Sequence, residues 1–202
     1  MSAQAPDATT ANEVLAKTLR SYQGASSTIE TTRGRGIDRH GFTWTFISTL
    51  WYLSTENWHL ELQSSAGQRA AFFRQGNVFR RANGDEPRKS EEVESLDRLL
   101  PRLRGTSFGG FGGVAEWTVP LLVAKSSSWQ SRLRKLSDLQ LESASGASRK
   151  GSLTFSGRDG KNIAKVEVDA STFRIRRIES SNAYEAVELT FEYSPLKAGA
   201  ER

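Results

Sequence analysis

The chain has no cysteine among its 202 residues. Disulfide staples, thiol nucleophiles and thiolate-ligated metal sites are therefore excluded, although the absence names no compartment. Histidine is scarce: His40 sits in the turn Asp38-Arg39-His40-Gly41, and His59 lies on the polar side of an alternating run. Neither has a second ligand at a metal-binding spacing, so both read as surface residues and no metal site is expected. No apolar run approaches the ~20 residues that a membrane-spanning helix needs. Nor is there a block of like charge. The 28 basic and 23 acidic residues leave a net charge of +5, spread along the chain. That balance permits nucleic acid or anionic lipid surfaces as partners without demanding either, and a solvated outer face is the simpler reading. The start, MSAQAPDATTANEV, carries neither the basic region nor the hydrophobic core of a signal peptide. Ala3-Gln4-Ala5 has the small-x-small form of a cleavage site. A trimmed mature secreted end and a cytoplasmic tail both fit it.

Signatures of catalysis are missing as well. Two glycine pairs, Gly109-Gly110 and Gly112-Gly113, invite a phosphate-loop reading. A phosphate loop ends in Gly-Lys-Ser/Thr, whereas Val114-Ala115-Glu116 follows here and puts a carboxylate where a cation belongs. The dinucleotide variant requires a preceding strand, but residues 95–103 have helical periodicity. The string Gly146-Ala147-Ser148-Arg149-Lys150-Gly151 has the wrong spacing for a nucleophile elbow. Glu91-Glu92-Val93-Glu94 resembles the acidic first turn of a helix. Neither an enzyme nor a cofactor is indicated.

What the sequence does contain is a change of period. Residues 11–22 place Val14, Leu15, Leu19 and Tyr22 on one helical face, with Thr9, Thr10 or Asn12 as cap and Gly24 as stop. Beyond them the period becomes two: Phe42, Trp44, Phe46, Leu50 and Tyr52, then Trp58, Leu60 and Leu62. A hairpin is expected across Gln75-Gly76. The second half repeats the alternation in Leu139/Leu141, Leu153/Phe155, Ala164/Val166/Val168, Phe173/Ile175 and Val187/Leu189/Phe191/Tyr193. Turns are expected at residues 157–160, 169–172 and 180–182. Strands with one apolar and one polar face belong to an antiparallel sheet that is wet on one side. The prediction is one domain, 1–202, of α+β class and mainly β. A curved antiparallel sheet would be covered by the N-terminal helix and a helical insertion over residues 87–135, with 1–8 and 198–202 flexible. The glycine-rich loop would cross the sheet's concave apolar face. The aromatics keep step with leucines and valines, so they read as core or cavity lining rather than as stacking platforms for bases.

Four stretches together carry a family likeness. They are the helix Val14-Leu15-Ala16-Lys17-Thr18-Leu19-Arg20-Ser21-Tyr22; Leu50-Trp51-Tyr52-Leu53 followed by Asn57-Trp58-His59-Leu60-Glu61; residues 105–122, ending Thr118-Val119-Pro120-Leu121-Leu122; and residues 166–178 around Asp169. In this order they resemble the LolA-like periplasmic lipoprotein carriers and lipoprotein-sorting-like proteins. The resemblance implies an unclosed β-barrel with an apolar cavity under a helical lid, acyl chains as ligand, and a periplasmic home. The carriers' arginine after the Leu-Trp strand has no counterpart, since Ser54 and Thr55 stand there. On this reading the cavity would be lined by Phe42, Trp44, Phe46, Trp58, Leu60, Leu153, Phe155, Val166, Leu189 and Phe191. Gly109, Gly110, Gly112, Gly113 and Trp117 would serve the lid and its hinge. The expected partner is a lipid or an acylated protein, with an envelope membrane protein as a further possibility, no nucleic acid, and a monomeric state. The competing expectation is a sensory or protein-interaction domain with a filled core.

Overall fold

The computed structural model describes residues 9–83, 91–93, 95, 114–123, 130–142 and 151–196. Helix α1, Ala11–Gln23, begins at Thr10, whose hydroxyl accepts from the Glu13 amide while the Glu13 carboxylate accepts from the Thr10 amide. This reciprocal cap satisfies two of the helix's free donors. Gly24 closes the other end through its amide to the Arg20 carbonyl. The buried side of α1 is Ala11, Val14, Thr18 and Tyr22.

Among the described residues eleven strands follow: β1 Thr28–Asp38, β2 Thr43–Ser54, β3 Asn57–Ser64, β4 Arg69–Gln75, β5 Val78–Asn83, β6 Glu91–Val93, β7 Ser137–Leu141, β8 Ser152–Asp159, β9 Asn162–Asp169, β10 Ile175–Ser181 and β11 Glu185–Pro195. They form one antiparallel sheet in the order β6-β5-β4-β3-β2-β1-β11-β10-β9-β8-β7. Two meanders therefore meet at its centre, where the first strand pairs with the last from Thr28↔Pro195 to Asp38↔Glu185. β6 and β7 are the outer strands, and the chain between them holds α2 Val114–Trp117, α3 Val119–Val123 and the 3-10 turn Arg132–Lys135. The sheet does not close into a barrel. Its inner face is covered by α1 over β7 and β8 and by α3, which packs on both α1 and β2.

Several expectations change. Glu91–Val93 is a strand rather than a helical first turn; its register sets Glu91 opposite Arg81 and Glu92 opposite Arg80. Opposite charges at Glu92 and Arg80 favour that pairing. Phe173 is in the turn before β10, at φ 55°, rather than in the strand with Ile175. The helix expected over residues 95–103 lies outside the described residues.

Candidate functional site

The centre of the inner face is β1, and it is not apolar. Its inward positions are Thr28, Glu30, Thr32, Gly34 and Gly36. The two glycines leave room that β2 fills: the rings of Phe46 and Trp44 lie on the β1 backbone. A Cβ at Gly34 would fall 2.2 Å from the Phe46 ring, and one at Gly36 would fall 2.1 Å from the Trp44 ring. Those rings stack on one another with centroids 6.0 Å apart. A close approach of this kind requires glycine.

Further along β1 is a buried polar cluster. The Glu30 side chain is 1% exposed, and its Oε1 accepts a 2.5 Å hydrogen bond from the Thr118 hydroxyl, in the turn between α2 and α3. Tyr22 of α1 and Tyr193 of β11 share a 2.5 Å bond between hydroxyls, and the Tyr22 oxygen accepts from the Ile175 amide. The Arg174 guanidinium lies 4.8 Å from the Tyr22 ring centre and 5.3 Å from that of Tyr193. Burial pushes the Glu30 carboxyl up to about 7, against the opposing pull of the Thr118 hydroxyl and the Arg174 charge. Both phenols are raised above their ordinary range, chiefly by burial. Among the described residues, Glu30 Oε2 and Arg174 Nη1 have no hydrogen-bond partner. A buried unpaired polar atom costs about 1–3 kcal/mol, so this cluster weakens the interior, as do the unpaired Thr32 hydroxyl and the Trp58 and Trp117 ring nitrogens.

The helices over it are anchored from the other side. The Ser131 hydroxyl donates to the Trp117 carbonyl at 2.5 Å, and the Arg132 guanidinium stands 5.0 Å from the Trp117 ring centre while bonding Asp159 at 2.8 Å. Trp117, Thr118, Val119, Leu121, Leu122 and Val123 are all buried. Among the described residues no three His, Asp or Glu side chains are grouped to hold a metal ion.

No protein-family model matches the sequence, and no curated protein does. Solved structures do match. The LolA superfamily protein NE2245 from Nitrosomonas europaea is 13% identical, pairing 94% of this chain with 95% of that one at a TM-score of 0.42. The Mycobacterium tuberculosis lipoprotein LppX is 14% identical over 92% of this chain and 98% of its own, at 0.46. A chain of the Pseudomonas aeruginosa MucA/MucB complex is 12% identical at 0.50, with 94% of this chain covering 59% of that one. At 0.50, the likeness to the MucA/MucB chain is one of fold. Identities this low speak to fold alone.

In this chain the expected lining residues fall as follows. Phe46, Trp58, Leu60, Phe155, Val166, Leu189 and Phe191 are buried in one inner cluster, and Trp44 and Leu153 pack partly buried against it. Phe42 does not join them. It precedes β2, in the turn after β1, and is 67% exposed, because the Asp38 carboxylate caps that turn and turns the ring outward. Trp117 is in the core beside the Glu30 cluster, whereas Gly109, Gly110, Gly112 and Gly113 lie outside the described residues. Sequence reasoning missed β1 altogether, and with it Glu30. A strand whose inward residues are Thr, Glu, Thr, Gly and Gly has no apolar alternation. The legible signal was the run of two-residue steps in Thr28–Asp38, polar on one side and containing Gly34-Arg35-Gly36.

Among the described residues the large apolar side chains of the inner face are mostly buried. An open groove of about 840 Å³ lies instead on the outer face, crossing β1, β2, β11, β10, β9 and β8. Its floor is a transverse row of charges, Arg35, Glu188, Glu179 and Lys165, set side by side by the strand register. Arg35 pairs with Glu188, Arg177 bridges Glu188 at 2.6 Å and Glu179 at 2.7 Å, and Lys165 pairs with Glu142 at 2.5 Å.

Proposed function

We propose that this domain is a non-enzymatic extracytoplasmic binding or carrier protein whose inner face takes a lipid, a lipoprotein acyl chain or another apolar ligand. The observation that carries the reading is the inner face itself. Both meanders direct Phe46, Leu60, Phe155, Val166 and Leu189 to one side of an unclosed sheet, and among the described residues α1 and α3 lie over it. A ligand would enter by lifting α2 and α3 and displacing the Phe46 and Trp44 rings from their glycines. Burying half of a ~14-carbon chain contributes roughly 5 kcal/mol at about 0.8 kcal/mol per methylene, enough for capture without covalent chemistry.

The test is native mass spectrometry of protein taken from its own envelope fraction, followed by organic extraction. A co-purifying acyl species, with tryptophan emission that shifts on delipidation, is expected. A clean apo mass with no emission response to fatty acids or lipopeptides overturns the reading. An Ala series at Gly109, Gly110, Gly112 and Gly113 tests the hinge: uptake and release should both slow.

A second reading is favoured by the open outer groove. On it, the domain recognises a protein through the outer face, as befits a fold that also occurs in the MucA/MucB complex.

A further inference from the structure

Half of the eight large apolar side chains exposed among the described residues gather at one end of the sheet. Phe42 is 67% exposed and Tyr184 61%, both in hairpin turns, and Ile37 and Ile163 are 46% and 48% exposed. The register places Ile37 and Ile163 in a single outer row, Thr43–Ile37–Ala186–Ser181–Ile163. The turns themselves are joined. The Arg39 amide donates to the Tyr184 carbonyl at 2.7 Å, and the Asn182 side-chain amide donates to Asn162 Oδ1 at 2.9 Å. Three hairpin tips, β1–β2, β10–β11 and β8–β9, thus form one continuous rim with an apolar edge.

Charge on that rim is sorted. Arg39, Arg158 and Lys161 are exposed. The nearby carboxylates are engaged or drawn in: Asp38 Oδ1 accepts the His40 and Phe42 amides, Asp159 is paired to Arg132, and Glu185 is half-buried. Exposed aromatics and aliphatics ringed by cations, on a chain of net charge +5, complement an anionic bilayer surface. We infer that this rim docks the domain onto anionic membrane surfaces, with Phe42, Tyr184, Ile37 and Ile163 entering the interface and Arg39, Arg158 and Lys161 meeting the headgroups. Phe42 is the tip, held outward by the Asp38 cap. No helix among the described residues is long and apolar enough to cross a membrane. The contact requires no ligand inside the sheet, so it stands apart from the carrier reading.

The test is flotation with vesicles of phosphatidylcholine alone and with vesicles that also contain phosphatidylglycerol, at low and high salt. Binding is expected only to the anionic vesicles, weakening as salt rises. Replacing Arg39 and Lys161 together by Gln should weaken it roughly thirtyfold, and Phe42→Ser with Tyr184→Ser about tenfold, with circular dichroism unchanged. Because the chain has no cysteine, Phe42→Cys and Glu56→Cys can each be labelled singly with an environment-sensitive dye. The label at 42 should turn apolar on anionic vesicles; the label at 56, at the opposite end of the sheet, should not. Absence of flotation at low salt overturns the inference. So does an equal response at both labels. Binding to soluble polyglutamate that depends on Arg39 and Lys161 but not on Phe42 or Tyr184 would also overturn it, and would assign the rim to an acidic protein.

Discussion

Glu30 offers the sharpest test of how the interior is built. Its native value of about 7 stands against an ordinary 4.5. A carboxyl raised in the folded state binds its proton more tightly there than in the unfolded chain. Stability is therefore highest below the ordinary value, falls as pH rises through the window between the two, and levels off above the native value. The gap of about 2.5 units corresponds to a loss on the order of 3 kcal/mol. Glu30→Gln keeps the shape and the acceptor for Thr118 but cannot ionise. Urea unfolding of both proteins at about pH 4 and about pH 8 should show the variant gaining roughly 3 kcal/mol relative to the native sequence over that span. Glu185 and His59 are also shifted, but they are common to both proteins and cancel in the difference. Hydrogen exchange supplies a local readout. Ionised Glu30 draws water toward its tie to Thr118, so the amides of Val119, Leu121, Leu122 and Val123 should lose protection above neutrality in the native sequence and keep it in the variant. A stability difference that stays constant across pH would refute the reasoning, and would mean that water or a neighbouring group already solvates Glu30.

Two further outcomes follow from the same interior. Gly34→Ala and Gly36→Ala each place a methyl within 2.2 Å of an aromatic ring, so each should cost about 1–3 kcal/mol of stability and change near-ultraviolet dichroism as the rings are displaced. Thr118→Val removes the donor to Glu30 Oε1; it should cost about 1–3 kcal/mol and move the Glu30-dependent loss of stability to higher pH, because that hydroxyl holds the carboxyl down.

The sequence determined the parts that repeat. Thr10 and Gly24 bound the first helix, the two-residue period placed β2 to β5 and β8 to β11, and the glycine and aspartate turns divided them, with Gly76 and Gly160 both at positive φ. Local chemistry suffices for these features because a cap, an alternation or a left-handed turn involves residues a few positions apart. Tertiary structure decided the rest. β1 is recognisable as the central strand only once β2 and β11 lie on either side of it, because Phe46 and Trp44 supply the apolar surface that Gly34 and Gly36 lack. Glu30 reads as one of many surface carboxylates until α1, β11 and the α2–α3 turn enclose it. Phe42 fits the alternation of β2 as well as Trp44 does, and only the Asp38 cap sends it outward. Burial is a property of what arrives from far along the chain, and a sequence pattern records only what a residue's own neighbours require.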